Sequence, residues 1–197
     1  MEKMSVFIET QGCQMNEYDS DRILNSLSAK LVENPMDADV VIVNTCAIRE
    51  KADHKAVSAL GRYKNLKKSN PDLIIGIAGC VAQLYGDKLI KDIPYLDFVV
   101  GPRGIPKLEG LIQQIRNTNK KKIIETSMDI EDVFEISPYH QEGKVTGFVS
   151  IQQGCNKRCA YCIVPTVRGK EINRPLDRIL EESKLFSYEI YFSFKLK

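Results

Sequence analysis

Apolar residues change period along this chain, and the changes outline its elements. Ser5 to Thr10 (SVFIET) reads as a strand. Glu17 to Leu31 follows, with Ile23, Leu24, Leu27 and Leu31 on one helical face. Val40 to Thr45 (VVIVNT) is apolar on both sides, the pattern of a strand buried in a parallel sheet. Arg49 to Lys68 is a charged amphipathic helix. Leu73 to Ala78 (LIIGIA) predicts a third strand, and Ala82 to Lys91 a helix. Phe98 to Gly101 and Lys122 to Glu125 predict further strands, with a helix near Pro106 to Arg116 between them. Strands alternating with helices over residues 1–125 specify an α/β domain with a doubly wound parallel sheet.

Beyond residue 125 the pattern breaks. Residues 126–147 are first acidic, then carry Pro138 and two glycines, and read as a linker. A second unit, 148–197, opens with a strand over Phe148 to Gln152. A cysteine-bearing loop and a helix from Pro175 to Leu185 follow. In the aromatic tail, Ile190, Phe192, Phe194 and Leu196 alternate, which predicts a strand pairing beside Phe148 to Gln152.

Composition changes this picture little. The 197 residues are 43% hydrophobic and 27% charged, with a net charge of only +2, so bulk charge argues for neither nucleic acid nor membrane. The amino terminus lacks the apolar core of a signal peptide. The longest apolar stretch, Leu73 to Ala82, is too short to span a bilayer. The expected compartment is the cytoplasm, with no membrane partner. In that reducing setting cysteines serve as ligands or reactive thiols rather than disulfides.

The six cysteines form two sets of three. Cys13, Cys46 and Cys80 each lie just after a predicted strand. Ligands of an open parallel sheet bind at the carboxyl ends of its strands, so these thiols are expected on one edge. Gly12, Thr45 and Gly79 beside them suit close backbone approach. Three unrelated structural cysteines are the alternative, since free cysteine is often buried. Cys155, Cys159 and Cys162 form CxxxCxxC within GCNKRCAYC. Three thiolates in one loop suit an iron–sulfur cluster with one iron left open. Structural zinc normally takes four ligands, and neither His54 nor His140 is placed to complete the set. Arg168, Lys170 and Arg174 follow that loop, placed to meet a phosphate or carboxylate, or else simply facing solvent. The two histidines are given no role.

GCNKRCAYC resembles the cluster loop of radical S-adenosylmethionine (SAM) enzymes. QGCQMNEYDS, NTCAIREKA and AGC, with the flanking GFVSIQQGC and IVPTVRGKEINRP, resemble the methylthiotransferases. QMNEYDS and IREKA are closest to that family's tRNA-modifying branch. The resemblance runs from Ser5 to Glu182. It implies a methylthiotransferase amino-terminal domain followed by the truncated start of a radical SAM partial β/α barrel. It also implies two 4Fe-4S clusters, one on Cys155, Cys159 and Cys162 that binds SAM, the other on Cys13, Cys46 and Cys80 that presents sulfur. Tyr161 would lie near the adenine of SAM. The implied reaction is sulfur insertion and methylation at C2 of an isopentenyladenosine in a tRNA anticodon stem-loop, served by an external sulfur donor and an electron donor protein. Other branches, acting on a ribosomal protein or on threonylcarbamoyladenosine, are alternatives, as is a non-catalytic iron–sulfur or sulfur-carrier module. The family's barrel and RNA-binding β domain extend further than this chain, so a truncated product inactive on its own is expected.

Overall fold

The structure, a computed structural model, describes residues 3–48, 51–118, 122–129, 134 and 147–195. Its centre is a parallel sheet of six strands: β1 (Ser5–Gln11), β2 (Lys30–Leu31), β3 (Val40–Thr45), β4 (Ile74–Gly79), β5 (Phe98–Val100) and β6 (Ile123–Glu125). Their spatial order is β2-β1-β3-β4-β5-β6, and every pairing is parallel. Helices α1 (Gln14–Ser26), α2 (Ala52–Ser69), α3 (Cys80–Asp92) and α4 (Leu108–Thr118) connect them.

Residues along a strand alternate between sheet faces, so the continuous apolar runs supply two cores. Val41, Val43, Ile75, Ile77 and Val99 face α2 and α3, meeting Leu60 and Tyr63 from the first and Val81 and Ile90 from the second. Val40, Ile42, Ile74, Phe98 and Val100 face α1 and α4, meeting Ile23, Leu27, Leu108 and Ile112. The doubly wound sheet expected for residues 1–125 is therefore observed. Its order makes the chain leave β1 and β3 on opposite faces. The crevice between their carboxyl ends is where such sheets bind ligands.

The long helix expected over Glu17 to Leu31 is corrected at both ends. It begins at Gln14 and stops at Ser26. Ser28 takes a left-handed conformation, and Lys30–Leu31 becomes a strand, with the Lys30 amide donating to Met4 O at 2.8 Å. Leu31 kept the helical spacing from Leu27, which disguised the break. The expected start of the next helix at Arg49 falls outside the described residues, as does most of the 126–147 linker.

The later part departs further. The strand expected over Phe148 to Gln152 shrinks to β7 (Gln152–Gln153). It pairs antiparallel with β8 (Ile172–Asn173), not with the tail. The short helix α5 (Val164–Arg168) lies between them. The tail strand is wrong: α6 runs from Leu176 to Lys195 and takes in Ile190, Phe192 and Phe194. No proline or glycine interrupts that stretch, so a helix begun after Pro175 meets no stop signal. A lone terminal strand, by contrast, would need a partner edge. Leu196 lies outside the described residues.

Candidate metal centres at the carboxyl edge of the sheet

The ends of the three central strands are level. Gln11 pairs with Thr45, and Thr45 with Gly79. Neighbouring strands stand about 4.8 Å apart. The chain therefore leaves β1, β3 and β4 within a span of about 10 Å, and each exit leads within two residues to a cysteine. Cys13 caps the amino end of α1, Cys46 directly follows β3, and Cys80 is the first residue of α3. Cys46 and Cys80 are buried, and Cys13 is half-buried.

Local contacts hold these residues. The Cys46 amide donates to Gln11 O at 3.0 Å, and the Ile48 amide donates to the Cys46 sulfur at 3.4 Å. Gly12 takes φ +153°, and a Cβ there would stand 2.5 Å from the Cβ of Cys46 and from Asn16 Oδ1. Only glycine lets the β1 exit pass so close to Cys46. Asn16 and Asn44, both fully buried, tie the start of α1 to β3. Asn16 Nδ2 donates to Thr45 O at 3.0 Å, and Asn44 Nδ2 donates to Asn16 O at 2.8 Å and Ser20 Oγ at 2.9 Å. Burial pushes the Cys80 thiol up from its ordinary value, against the opposing pull of the Arg168 guanidinium; the nearby Asp19 and Cys46 push it further up.

The second set lies in the loop between β7 and α5. Cys155 and Cys162 are half-buried and Cys159 is exposed. The Cys155 amide donates to Gly169 O at 3.1 Å, and the Lys157 amide donates to the Cys155 sulfur at 3.4 Å. Gly154 is left-handed at φ +77°, and any Cβ there would collide with the carbonyls of Gly169 and Lys170. Tyr161 stands out of the loop, 93% exposed.

Arg168, at the end of α5, reaches back to the first set. Its Nη2 donates to Asp19 Oδ2 at 2.7 Å, and its guanidinium lies within electrostatic reach of the Cys80 thiol. Burial disfavours the charge of Arg168, but Asp19 and Cys80 outweigh it and raise its pKa. Arg103, also buried, donates to the carbonyls of Arg168 at 3.1 Å, Lys170 at 2.6 Å and Met128 at 2.7 Å. Arg174 is buried too, paired with Glu182. Arg168 and Arg174 therefore neither face solvent nor stand free for a phosphate or carboxylate, since internal carboxylates already hold both. Lys170 is exposed. Asp19, Arg103, Asn16 and Asn44 escaped sequence reading. Asp19 stands one turn before Ile23 on the buried face of α1, a position that could have drawn notice.

Among the described residues, no three His, Cys, Asp or Glu side chains converge at the spacing of a single metal ion. The thiols of a four-iron cluster bind different irons and stand farther apart. The local chemistry suits such a group. Cys46 and Cys80 lie within electrostatic reach of each other, Cys46 packs on the Gly12 backbone, and amides donate to the sulfurs of Cys46 and Cys155.

Residues 5–101 match the family described as "Uncharacterized protein family UPF0004". Three curated relatives carry the name tRNA-2-methylthio-N(6)-dimethylallyladenosine synthase. The protein of Janthinobacterium sp. (strain Marseille) is 44% identical over 181 residues, 90% of this chain and 40% of its own length. That of Bordetella petrii is 45% identical over 90% of this chain and 38% of its own length. That of Methylobacillus flagellatus is 43% identical over 90% of this chain and 41% of its own length. The chain thus spans about two-fifths of the length of the curated relatives it matches. Residues 5–101 are thus similar to the UPF0004 family, and nine-tenths of the chain is 43–45% identical to part of proteins named tRNA-2-methylthio-N(6)-dimethylallyladenosine synthase.

Proposed function

We propose that this chain is part of a tRNA methylthiotransferase that replaces an unactivated C–H bond of an isopentenyladenosine with a methylthio group. Residues 1–125 form the sulfur-presenting domain, 126–147 the linker and 148–197 the opening of the SAM-binding domain. The observation that carries this reading is the delivery of Cys13, Cys46 and Cys80 to one edge by three strands in register, beside a CxxxCxxC loop. The names of the relatives agree with it.

In this reading Cys13, Cys46 and Cys80 hold one 4Fe-4S cluster, and Cys155, Cys159 and Cys162 hold another that takes SAM. Together these groups supply the one-electron chemistry and the sulfur that side chains cannot. The protein's own part is placement. The strand ends and the Asn16–Asn44 pair fix the first thiols. Gly154 and the Cys155–Gly169 hydrogen bond shape the loop of the second set. Tyr161, exposed beside Cys162, is available to cover an adenine ring. A tRNA anticodon stem-loop, a sulfur donor and an electron donor protein are the partners, and the cytoplasm the setting. None of the described helices is long and apolar enough to cross a membrane.

Anaerobic reconstitution tests the assignment. The chain should bind about eight irons, and changing Cys155, Cys159 and Cys162 together to Ala should remove half of them. Loss of all iron from that triple variant, or binding of zinc in place of iron, overturns the two-cluster reading.

A further inference from the structure

Lys51, Lys55, Ser58 and Arg62 recur at intervals of four, three and four residues. This spacing puts them on one side of α2 and its amino-terminal cap. Together with the carboxyl ends of β1 and β3 they enclose a cleft of about 550 Å³, whose other walls include Gly12 and Cys46. The cleft occupies the β1/β3 crevice, where the chain departs to opposite faces of the sheet. All four α2-side residues are exposed. Neither Lys51 nor Lys55 has a carboxylate partner among the described residues. Arg62 pairs with Glu9, an acid already engaged by Tyr63 and Gln11. Among the described residues the stripe therefore keeps a positive balance at its amino end, next to Cys46.

The shape of this feature selects its ligand. A small anion is held by donors converging on one point. Here the cations are spread along an open wall. From Lys51 to Arg62 the helix advances about 16 Å, the reach of roughly four or five stacked nucleotides at about 3.4 Å each. We propose that this face of α2 is a track for single-stranded RNA. Lys51 and Lys55 hold successive backbone phosphates, and the strand they guide passes the cleft mouth at Cys46. The proposal rests on the reading of the chain as part of a tRNA-modifying enzyme, and it assigns the contacts that bring RNA to the first set of thiols.

The test is fluorescence anisotropy of a labelled anticodon stem-loop RNA with the full chain, from about 50 to about 200 mM salt. Each phosphate contact on a single strand contributes about −0.7 to the slope of log K against log salt. The Lys51→Ala, Lys55→Ala double variant should flatten the slope by about 1.4 and weaken binding about tenfold or more at the low-salt end. Lys55→Arg should keep the slope. Lys88→Ala, Lys91→Ala removes the same charge from exposed positions of α3 and should leave the slope unchanged. Thermal melts establish that the variants are folded. An unchanged slope in the Lys51, Lys55 variant, or an equal loss in the Lys88, Lys91 control, overturns the track. Displacement of the RNA by equimolar AMP or inorganic phosphate also overturns it, in favour of a small-phosphate site. Iron content is measured in parallel. A chain that takes no iron but loses slope as predicted defeats the cluster reading and leaves the RNA track standing.

Discussion

Arg168→Met should destabilise the protein by about 3 kcal/mol, because it breaks a buried ion pair. The side chains of Arg168 and Asp19 are 7% and 1% exposed, and their 2.7 Å contact joins α5 to α1. Removing one partner of such a pair typically costs about 3–5 kcal/mol, mostly through the charge left behind. Here the low end applies, since Asp19 keeps Arg22 at 3.5 Å. Removing Asp19 is worse. Asp19→Asn takes the carboxylate from two buried guanidiniums, Arg22 and Arg168, so its cost should lie near the top of that range, about 5 kcal/mol. Urea unfolding followed by circular dichroism measures both. With a slope near 2 kcal/mol per molar, Arg168→Met should lower the midpoint by about 1.5 M and Asp19→Asn by more. Alkylation of Cys80, which is 1% exposed, should also accelerate in Arg168→Met once its cover loosens. A midpoint shift below about 0.3 M for Arg168→Met, or a larger loss for it than for Asp19→Asn, would refute the reasoning.

Gly12→Ala should displace Cys46, because the new Cβ meets that residue's Cβ and Asn16 at 2.5 Å in a conformation that disfavours side chains. Iron analysis after reconstitution should show about half the wild-type content, from the second set alone; full content would count against the close packing. Glu9 governs an acid-sensitive contribution. Burial pushes its carboxyl up, but hydrogen bonds from Tyr63, Arg62 and Gln11 outweigh this and hold it below its ordinary 4.5. A carboxyl depressed on folding stabilises the protein above its unfolded pKa, and that stabilisation fades as pH falls through the lower folded value. Wild type should therefore exceed Glu9→Gln in urea midpoint at neutral pH, with the gap closing below about pH 4.5; a gap constant with pH contradicts the assignment.

The strands buried on both faces were legible because VVIVNT and LIIGIA are short, rich in β-branched residues and flanked by turn signals, which favours a central parallel strand over a buried helix. Their order was not written locally, yet the placement of a cysteine after each of three strands followed without it. Failures occurred where local spacing fitted two structures. Leu31 fits both a helix face and a short edge strand, and a left-handed Ser28 decides between them. The tail alternates over a few residues but lacks any helix breaker, and the helix prevails. Buried charges were the least legible. Asp19 and Arg168 are 149 residues apart, so neither reveals that it will be desolvated or what will neutralise it. A sequence window shows a charge, and only the fold shows its partner.

That same pair bears on how the two sets of cysteines are held relative to one another. Arg168 lies six residues after Cys162, on the helix that directly follows the second set, and it ends against Asp19 and Cys80. Arg103 grips the carbonyls on either side of Gly169, and the Gly169 carbonyl accepts from the amide of Cys155. The backbone around Gly169 thus links the first residue of the second set, through Arg168, to Asp19 beside the first set. Two independently mobile modules would have no need to bury Arg103 and Arg168 where α5 meets the rest of the chain; exposed surface ion pairs, worth little, would serve for a transient contact. Burying Arg103 and Arg168 incurs desolvation that only fixed partners offset, and their partners bridge the two parts of the chain, so these two residues act by holding one geometry. In a reaction that passes a substrate from hydrogen removal at one site to sulfur at another, a fixed separation is what placement has to supply. The buried arginines are therefore as much part of the proposed function as the thiols they position.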